Sequence, residues 1–241
     1  MSSLLARLHL HLGPAAYAEP FAPHTLLKMP ANALVNLAYL LVAAGWLAWA
    51  LRRPDDDPRR PVRARFMGLA LLAGIYAPIQ FWRITTQQPL AAMVDQWVTL
   101  PFFGAFCAWA LELLRPAPRP GRRFAAILAG STGSYALAFA MPHGFVLALA
   151  VHITAALALG IALVRRTPSL ALPFAAALLC CVGFVALKEA DFALATCAPF
   201  RRLTGHFWSK LCDAGQLHFA LLLFARARAG HEDDRGWEAQ D

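Results

Sequence analysis

Seven long apolar segments limit the folds that this chain can adopt. They cover roughly residues 32–51, 64–83, 93–114, 123–141, 143–164, 170–190 and 204–225. Each is close to the ~20 residues that a helix needs to cross the hydrocarbon core of a bilayer. The connectors between them are rich in Pro, Gly and Arg, which interrupt helices or mark their ends. The sequence therefore predicts an all-α fold, a polytopic membrane bundle of seven transmembrane helices.

The overall composition agrees with a membrane environment. The chain is 59% hydrophobic and only 15% charged, which is too apolar for a soluble domain of 241 residues. Its net charge of +8 could suggest nucleic acid, but the basic residues sit in short connectors, where the topology rule accounts for them. We expect the lipid bilayer as a partner and no nucleic acid. The composition indicates neither the organelle nor any protein partner.

The distribution of lysine and arginine predicts the orientation. Fifteen of the 22 basic residues flank the segments on one side, five lie on the other, and Lys188 and Lys210 fall within segments. Basic loops stay in the cytosol, so we expect a cytosolic C-terminus and a lumenal or outside N-terminus. The predicted organisation is an interfacial segment over 1–31, a seven-helix domain over 32–226 and a polar, disordered cytosolic tail over 227–241.

Polar residues inside the apolar segments form the candidate site. In this orientation, nearly all of them map to the outer or lumenal half of the bilayer. Ionisable groups at that depth usually face a bundle interior or a wet cavity. We therefore predict a polar pocket in the outer leaflet, with no catalytic residue assigned. Its candidate residues are Asn32, Asn36, Gln80, Arg83, Asp95, Lys188, Asp191, His206, Lys210, Asp213 and His218.

Two interpretations of these residues stay open. In the structural one, Lys210 and Asp213 neutralise each other one turn apart, Arg83 pairs with Asp95, and the cluster fixes helix register. In the functional one, the pocket binds a lipid head group or a metal. Zinc is the metal considered, but no HxxxH or HExxH pair places two histidines on one helix face. We therefore predict no metal site and no cofactor.

Five long stretches of the sequence carry a family resemblance. They are MPANALVNLAY at 29–39, YAPIQFWRITTQ at 76–87, VDQWVTLPFF at 94–103, CVGFVALKEAD at 181–191 and LTGHFWSKLCDAGQLHFALL at 203–222. With these stretches the chain resembles the vertebrate transmembrane protein 187 family over most of its length. The resemblance implies a multi-pass membrane protein without an established activity.

The stretch 32–36, Asp95 and His218 carry a more distant resemblance. They are similar to parts of the alkaline ceramidase and progestin/adiponectin-receptor superfamily of seven-helix zinc amidases. The stretch 32–36 is similar to its first-helix motif, Asp95 to its third-helix aspartate, and His218 to the last histidine of its final-helix HxxxH. The preceding histidine position is Ala214, and the YAPIQF region lacks the second-helix Ser and His. The resemblance therefore implies a scaffold that has lost or rebuilt the zinc site.

The leading hypothesis is a seven-helix membrane protein whose polar pocket binds a lipid or a protein partner and which retains no zinc hydrolase activity. The first alternative is an intramembrane, metal-dependent lipid amide hydrolase with a rebuilt site of Asp95, His206, Asp213 and His218. The second alternative is a channel or transporter, which requires a continuous polar path. The inner halves of the segments are almost wholly apolar, which argues against such a path.

Overall fold

The computed structural model describes residues 17–20, 22, 24–25, 27–52 and 60–238. For residues 60–65 and 228–238 it describes only the backbone. Throughout these residues the regular structure is helical, without strands. The all-α prediction is therefore confirmed for the described part of the chain. Residues 1–16, the first half of the predicted interfacial segment, lie outside the described residues, as do residues 53–59 and 239–241.

Helices lie at each of the seven predicted segments. The first segment is divided into two helices, and the fourth is interrupted by the 3₁₀ turn Ser134–Ala136. A further 3₁₀ turn, Pro168–Leu170, leads into the sixth segment. The helices are α1 Pro30–Leu34, α2 Leu37–Leu51, α3 Arg60–Thr86, α4 Pro89–Leu114, α5 Pro120–Gly133, α6 Leu137–Ala140, α7 Gly144–Arg166, α8 Ala171–Glu189, α9 Asp191–Leu194 and α10 Gly205–Glu238.

Five helical stretches within the described residues are long and apolar enough to cross a membrane. They are Pro30–Leu51, Phe66–Thr86, Pro89–Leu114, Gly144–Arg166 and Pro168–Glu189. The fourth predicted segment falls short because α5 is only 14 residues long before the 3₁₀ turn. The last segment forms one helix of 34 residues, but Lys210 and Asp213 interrupt its apolar run. The number of crossings and the orientation therefore stay predictions.

The break between α1 and α2 has a local cause. The Asn36 side chain donates from Nδ2 to the carbonyl oxygens of Asn32 at 3.0 Å and of Ala33 at 3.1 Å. The last carbonyls of a helix lose helical N–H partners, and this amide donates to two of them. The Ala33 carbonyl also accepts from the Asn36 backbone N–H at 3.4 Å. At the far end of the chain, the backbone of α10 is helical as far as Glu238, through most of the predicted tail over 227–241.

The chain forms two compact units. The first comprises the described parts of residues 1–98 and 179–217. In it, α2 packs along α3, with the Trp46 and Phe66 rings stacked at 5.6 Å and the Tyr39 and Tyr76 rings edge to face at 5.1 Å. Its interior also holds most of the polar residues predicted above.

The second unit comprises the described parts of residues 99–178 and 218–241. Its core is aromatic, with Trp109 and Phe224 stacked at 4.3 Å between ring centroids. Arg166 donates from Nη1 to the carbonyl of Leu114 at 2.6 Å, so a cation satisfies a carbonyl at the C-terminus of α4. This unit is built mainly from apolar side chains.

Candidate functional site

Ten of the eleven predicted site residues belong to the first unit; His218 belongs to the second. His218 is exposed, and its ring contacts Phe219 at 5.3 Å. Lys188 is also exposed, at the end of α8. Arg83 and Asp213 are partly buried. The other seven are buried: Asn32, Asn36, Gln80, Asp95, Asp191, His206 and Lys210.

An ion pair joins α3 to α4. Arg83 donates from Nη1 to Asp95 Oδ2, and Gln80 donates from Nε2 to Asp95 Oδ1. Gln80 Nε2 also lies 2.8 Å from the hydroxyl of Tyr76. Only Gln87 and Gln88 separate the two helices, and this short turn places the end of α3 beside the start of α4. The pair expected from the sequence is therefore present, and Gln80 extends it.

A buried ammonium group sits among aromatic rings. The Nζ of Lys210 lies 5.3 Å from the centroid of the Tyr76 ring, 5.8 Å from that of Phe184 and 5.9 Å from that of Tyr39. It also donates to the Tyr76 hydroxyl at 3.4 Å. The hydroxyl of Tyr39 donates to Asp213 Oδ2 at 2.5 Å. Ring faces attract cations, so these tyrosines connect the Lys210 and Asp213 charges across helices.

Two carboxylates bind backbone N–H groups near helix starts. Asp191 accepts from the N–H of His206, in the first turn of α10, at 2.7 Å and from that of Ala18 at 2.7 Å. Glu19 accepts from Ala31 and Asn32, in the first turn of α1, at 2.8 Å each. The first N–H groups of a helix lack helical partners and carry a partial positive charge. Each carboxylate therefore compensates the partial positive charge at the start of one helix.

Gly205 allows α10 to start close to Asp191. A Cβ atom at position 205 would lie 2.5 Å from the carbonyl oxygen of Leu187 and 2.9 Å from the Cα of Asp191. Both neighbours are backbone atoms and cannot rotate away. Any larger residue would therefore push the first turn of α10 off the Asp191 carboxylate.

We call the buried polar side chains of the first unit the cluster, and the segment Tyr17–Glu19 covers part of it. The Tyr17 ring stacks on the His206 ring with 3.7 Å between centroids. Burial raises the pKa of the Tyr17 phenol to about 12; Arg83 opposes the shift, and the carboxylates of Asp95 and Asp191 add to it. The phenol therefore stays neutral at physiological pH, and it covers His206 without bringing a charge.

Several buried polar atoms of the first unit have no hydrogen-bond partner among the described residues. Asn32 is fully buried and leaves both amide atoms unpaired, and His206 leaves both ring nitrogens unpaired. Buried polar groups normally find partners, and each exception calls for an explanation. The remaining unpaired side-chain atoms of this site are Asn36 Oδ1, Gln80 Oε1, Arg83 Nε and Thr204 Oγ1.

A groove of about 340 Å³ lies between the first two apolar stretches. Its lining is apolar apart from Asn36, and Pro78 contributes to one wall. Because proline has no N–H, Pro78 cannot donate to the carbonyl of Gly74, another lining residue. The groove residues are Ala33, Leu34, Asn36, Leu37, Leu40, Gly74, Ala77, Pro78 and Phe81.

The described side chains do not form a metal site. Among them, no three His, Cys, Asp or Glu side chains are grouped so that they could hold a metal ion. Asp95 is engaged by Arg83, Asp213 by Tyr39, and His206 stacks under Tyr17. Three donors of the rebuilt zinc site considered above thus contact other groups, and the fourth, His218, is exposed.

The structure adds residues to the site that sequence reasoning missed. Tyr17 and Glu19 precede the first apolar segment, and the predicted site included only polar residues inside such segments. Tyr39 and Tyr76 look like ordinary membrane aromatics in sequence, and Thr204 lies just before α10. The spacing of Asn36, just before α2, and Tyr39, in its first turn, carries a weak signal, because residues three apart share one helix face.

Asp191→Asn tests the anchoring role of this carboxylate. Asparagine keeps one side-chain oxygen acceptor, so one of the two backbone N–H groups loses its partner. We expect the free energy of unfolding to fall by about 1–3 kcal/mol, measured by thermal unfolding in detergent. The control is Glu189→Gln, which makes the same chemical change at an exposed residue nearby. Equal effects of the two substitutions would contradict the anchoring role.

Comparison with known proteins places the chain in a family. Residues 1–225 match the family model described as the TMEM187 protein family. Transmembrane protein 187 of Homo sapiens is 43% identical over 221 residues, covering 88% of this chain and 80% of the relative. Transmembrane protein 187 of Bos taurus is 40% identical over 229 residues, covering 92% and 88%.

No solved structure matches the chain. The relatives are named as transmembrane proteins, and five described helices are long and apolar enough to span a membrane. The predictions of a multi-pass membrane protein and of its family are therefore confirmed. The chain belongs to the TMEM187 protein family.

Proposed function

We propose that this protein binds a membrane lipid in the first unit, with an acyl chain in the groove and the polar end at the buried polar cluster. Asn36 belongs to both features: it lines the groove, and its amide oxygen is one of the unpaired buried atoms. This continuity between an apolar groove and buried polar atoms without partners is the observation that carries the proposal. A lipid is the ligand class whose two ends match the two surfaces.

The surroundings of the groove support a lipid ligand. Its lining residues Leu34, Leu37 and Leu40 are 52%, 54% and 43% exposed. In a membrane-spanning segment, exposed leucines face hydrocarbon chains rather than water. A lipid could therefore reach the groove sideways from the bilayer, without crossing an aqueous phase.

Binding fits the arrangement better than hydrolysis. A zinc hydrolase needs three protein ligands around an open coordination position. Here Asp95, His206 and Asp213 each contact a different partner. The proposed role is accordingly lipid binding without retained zinc hydrolase activity.

We also propose seven crossings, with the cluster in the outer or lumenal half of the bilayer. The support is the excess of lysine and arginine in the connectors on the opposite side. In this topology the residues between α8 and α10 lie outside or in the lumen. They include Cys197, which is exposed and carries a free thiol.

Labelling of Cys197 tests the topology. In sealed microsomes with their cytosolic face outward, a membrane-impermeant maleimide should modify Cys197 only after the membrane is permeabilised. Cys197→Ser measures the background from the four other cysteines. As a positive control, Arg119→Cys, in the connector between α4 and α5, should react without permeabilisation. Reaction of Cys197 in intact microsomes would contradict the proposed orientation.

A tryptophan in the groove tests lipid binding. In Leu37→Trp the larger side chain should fill the groove, so co-purified lipid should fall to background in native mass spectrometry of the detergent-solubilised protein. The matched control is Leu41→Trp, on the same helix, where the residue is 74% exposed and outside the groove lining. The proposal fails if the wild-type protein carries no lipid, or if both variants lose it equally.

A further inference from the structure

The carboxylates and the guanidinium of the cluster already have partners. Arg83 pairs with Asp95, and Asp213 accepts from Tyr39 near the caged Lys210. Glu19 and Asp191 each accept two backbone N–H groups. An added phosphate would meet four carboxylates, while the Arg83 charge is already matched by Asp95 and aromatic rings surround the Lys210 ammonium. An uncompensated charge in a low-dielectric interior is costly. The cluster therefore disfavours an anionic ligand.

The unpaired atoms are, with one exception, neutral. They belong to the amides of Asn32, Asn36 and Gln80, the hydroxyl of Thr204 and the ring of His206. The exception is Arg83 Nε, whose guanidinium charge is already matched by Asp95. These groups are suited to hydrogen bonds with an uncharged ligand.

Two of these atoms act only as acceptors. The hydrogen bonds made by the nitrogen of the same amide fix that assignment. Asn36 Nδ2 points at the carbonyl oxygens of Asn32 and Ala33, so the amide oxygen is the unpaired atom. Gln80 Nε2 points at Asp95 and the Tyr76 hydroxyl, so Oε1 is unpaired. A carbonyl or carboxylate cannot donate a hydrogen bond, so neither amide can be turned over. A ligand that pairs with these atoms must itself donate.

We propose that the lipid bound by this site is an uncharged one with a free hydroxyl group, such as a diacylglycerol or a sterol. This inference rests on the proposed function and specifies its ligand class. The hydroxyl donates to an amide oxygen, with Asn36 Oδ1 the one nearest to the groove, and accepts from a donor such as the Asn32 amide. Lipids whose oxygens are all esterified have no donor for these atoms, and phosphatidate adds a charge.

Thermal shift measurements on the purified full chain test the ligand class. The probes are 1,2-dioleoylglycerol and its 3-acetyl ester, cholesterol and its methyl ether, and dioleoylphosphatidate. At least one free hydroxyl form should raise the unfolding midpoint at about tenfold lower concentration than its capped partner, because one buried hydrogen bond is lost on capping. The two pairs distinguish a glycerolipid from a sterol as the source of the hydroxyl.

Two variants locate the effect. Asn32→Leu removes both unpaired amide atoms, so the ligand-free protein should unfold at or above the wild-type temperature while the preference for the hydroxyl form disappears. Thr204→Val is nearly isosteric and removes one unpaired hydroxyl. It replaces Asn32→Leu in the test if Asn32→Leu does not fold. Leu41→Ala, on the exposed face of α2, should keep the wild-type preference.

The outcomes separate this inference from the proposed function. If capped and free lipids bind equally, or if phosphatidate binds most tightly, the ligand class is wrong while lipid binding stands. If none of the probes shifts the midpoint and the protein carries no lipid, both fail. A preference for the hydroxyl form that survives in both Asn32→Leu and Thr204→Val would also overturn the assignment.

Discussion

The ion pair between Arg83 and Asp95 is the interaction on which the first unit depends. Asp95 is buried and Arg83 partly buried, and a charge away from water is costly unless an opposite charge compensates it. Their contact fixes the end of α3 against the start of α4. Gln80 binds the second oxygen of the same carboxylate and links it to Tyr76. The positions of the neighbouring polar groups follow from this arrangement.

The cluster joins pieces of the chain that are far apart in sequence. Asp191 binds backbone atoms of residues 18 and 206, and Tyr39 binds an aspartate 174 residues away. Each contact satisfies a group that would be costly to leave bare in an apolar medium. The remaining unpaired atoms are therefore conspicuous, because they lie among polar groups that have hydrogen-bond or ion-pair partners.

Apolar run length predicted the helices well, since hydrocarbon imposes a helix of about 20 residues on any spanning segment. The same reasoning placed Asp95 and Lys210 at comparable depth and anticipated the Arg83 pair. It could not predict that Tyr39 binds Asp213, because hydrophobic periodicity does not indicate which helices are neighbours. It also missed Glu19 and Tyr17, which act from outside any span. His218 lies five residues after Asp213 on the same helix, so the two side chains are on different faces of that helix. His218 also belongs to the second unit.

The first unit depends on buried charges that stabilise one another. A double-mutant cycle between Arg83→Met and Asp95→Leu, read out by equilibrium unfolding in bicelles, tests it most directly. Each single substitution leaves one uncompensated charge and should cost about 3–5 kcal/mol. The double variant replaces the pair with apolar groups and should recover most of that loss. Costs that simply add in the double variant would contradict the account.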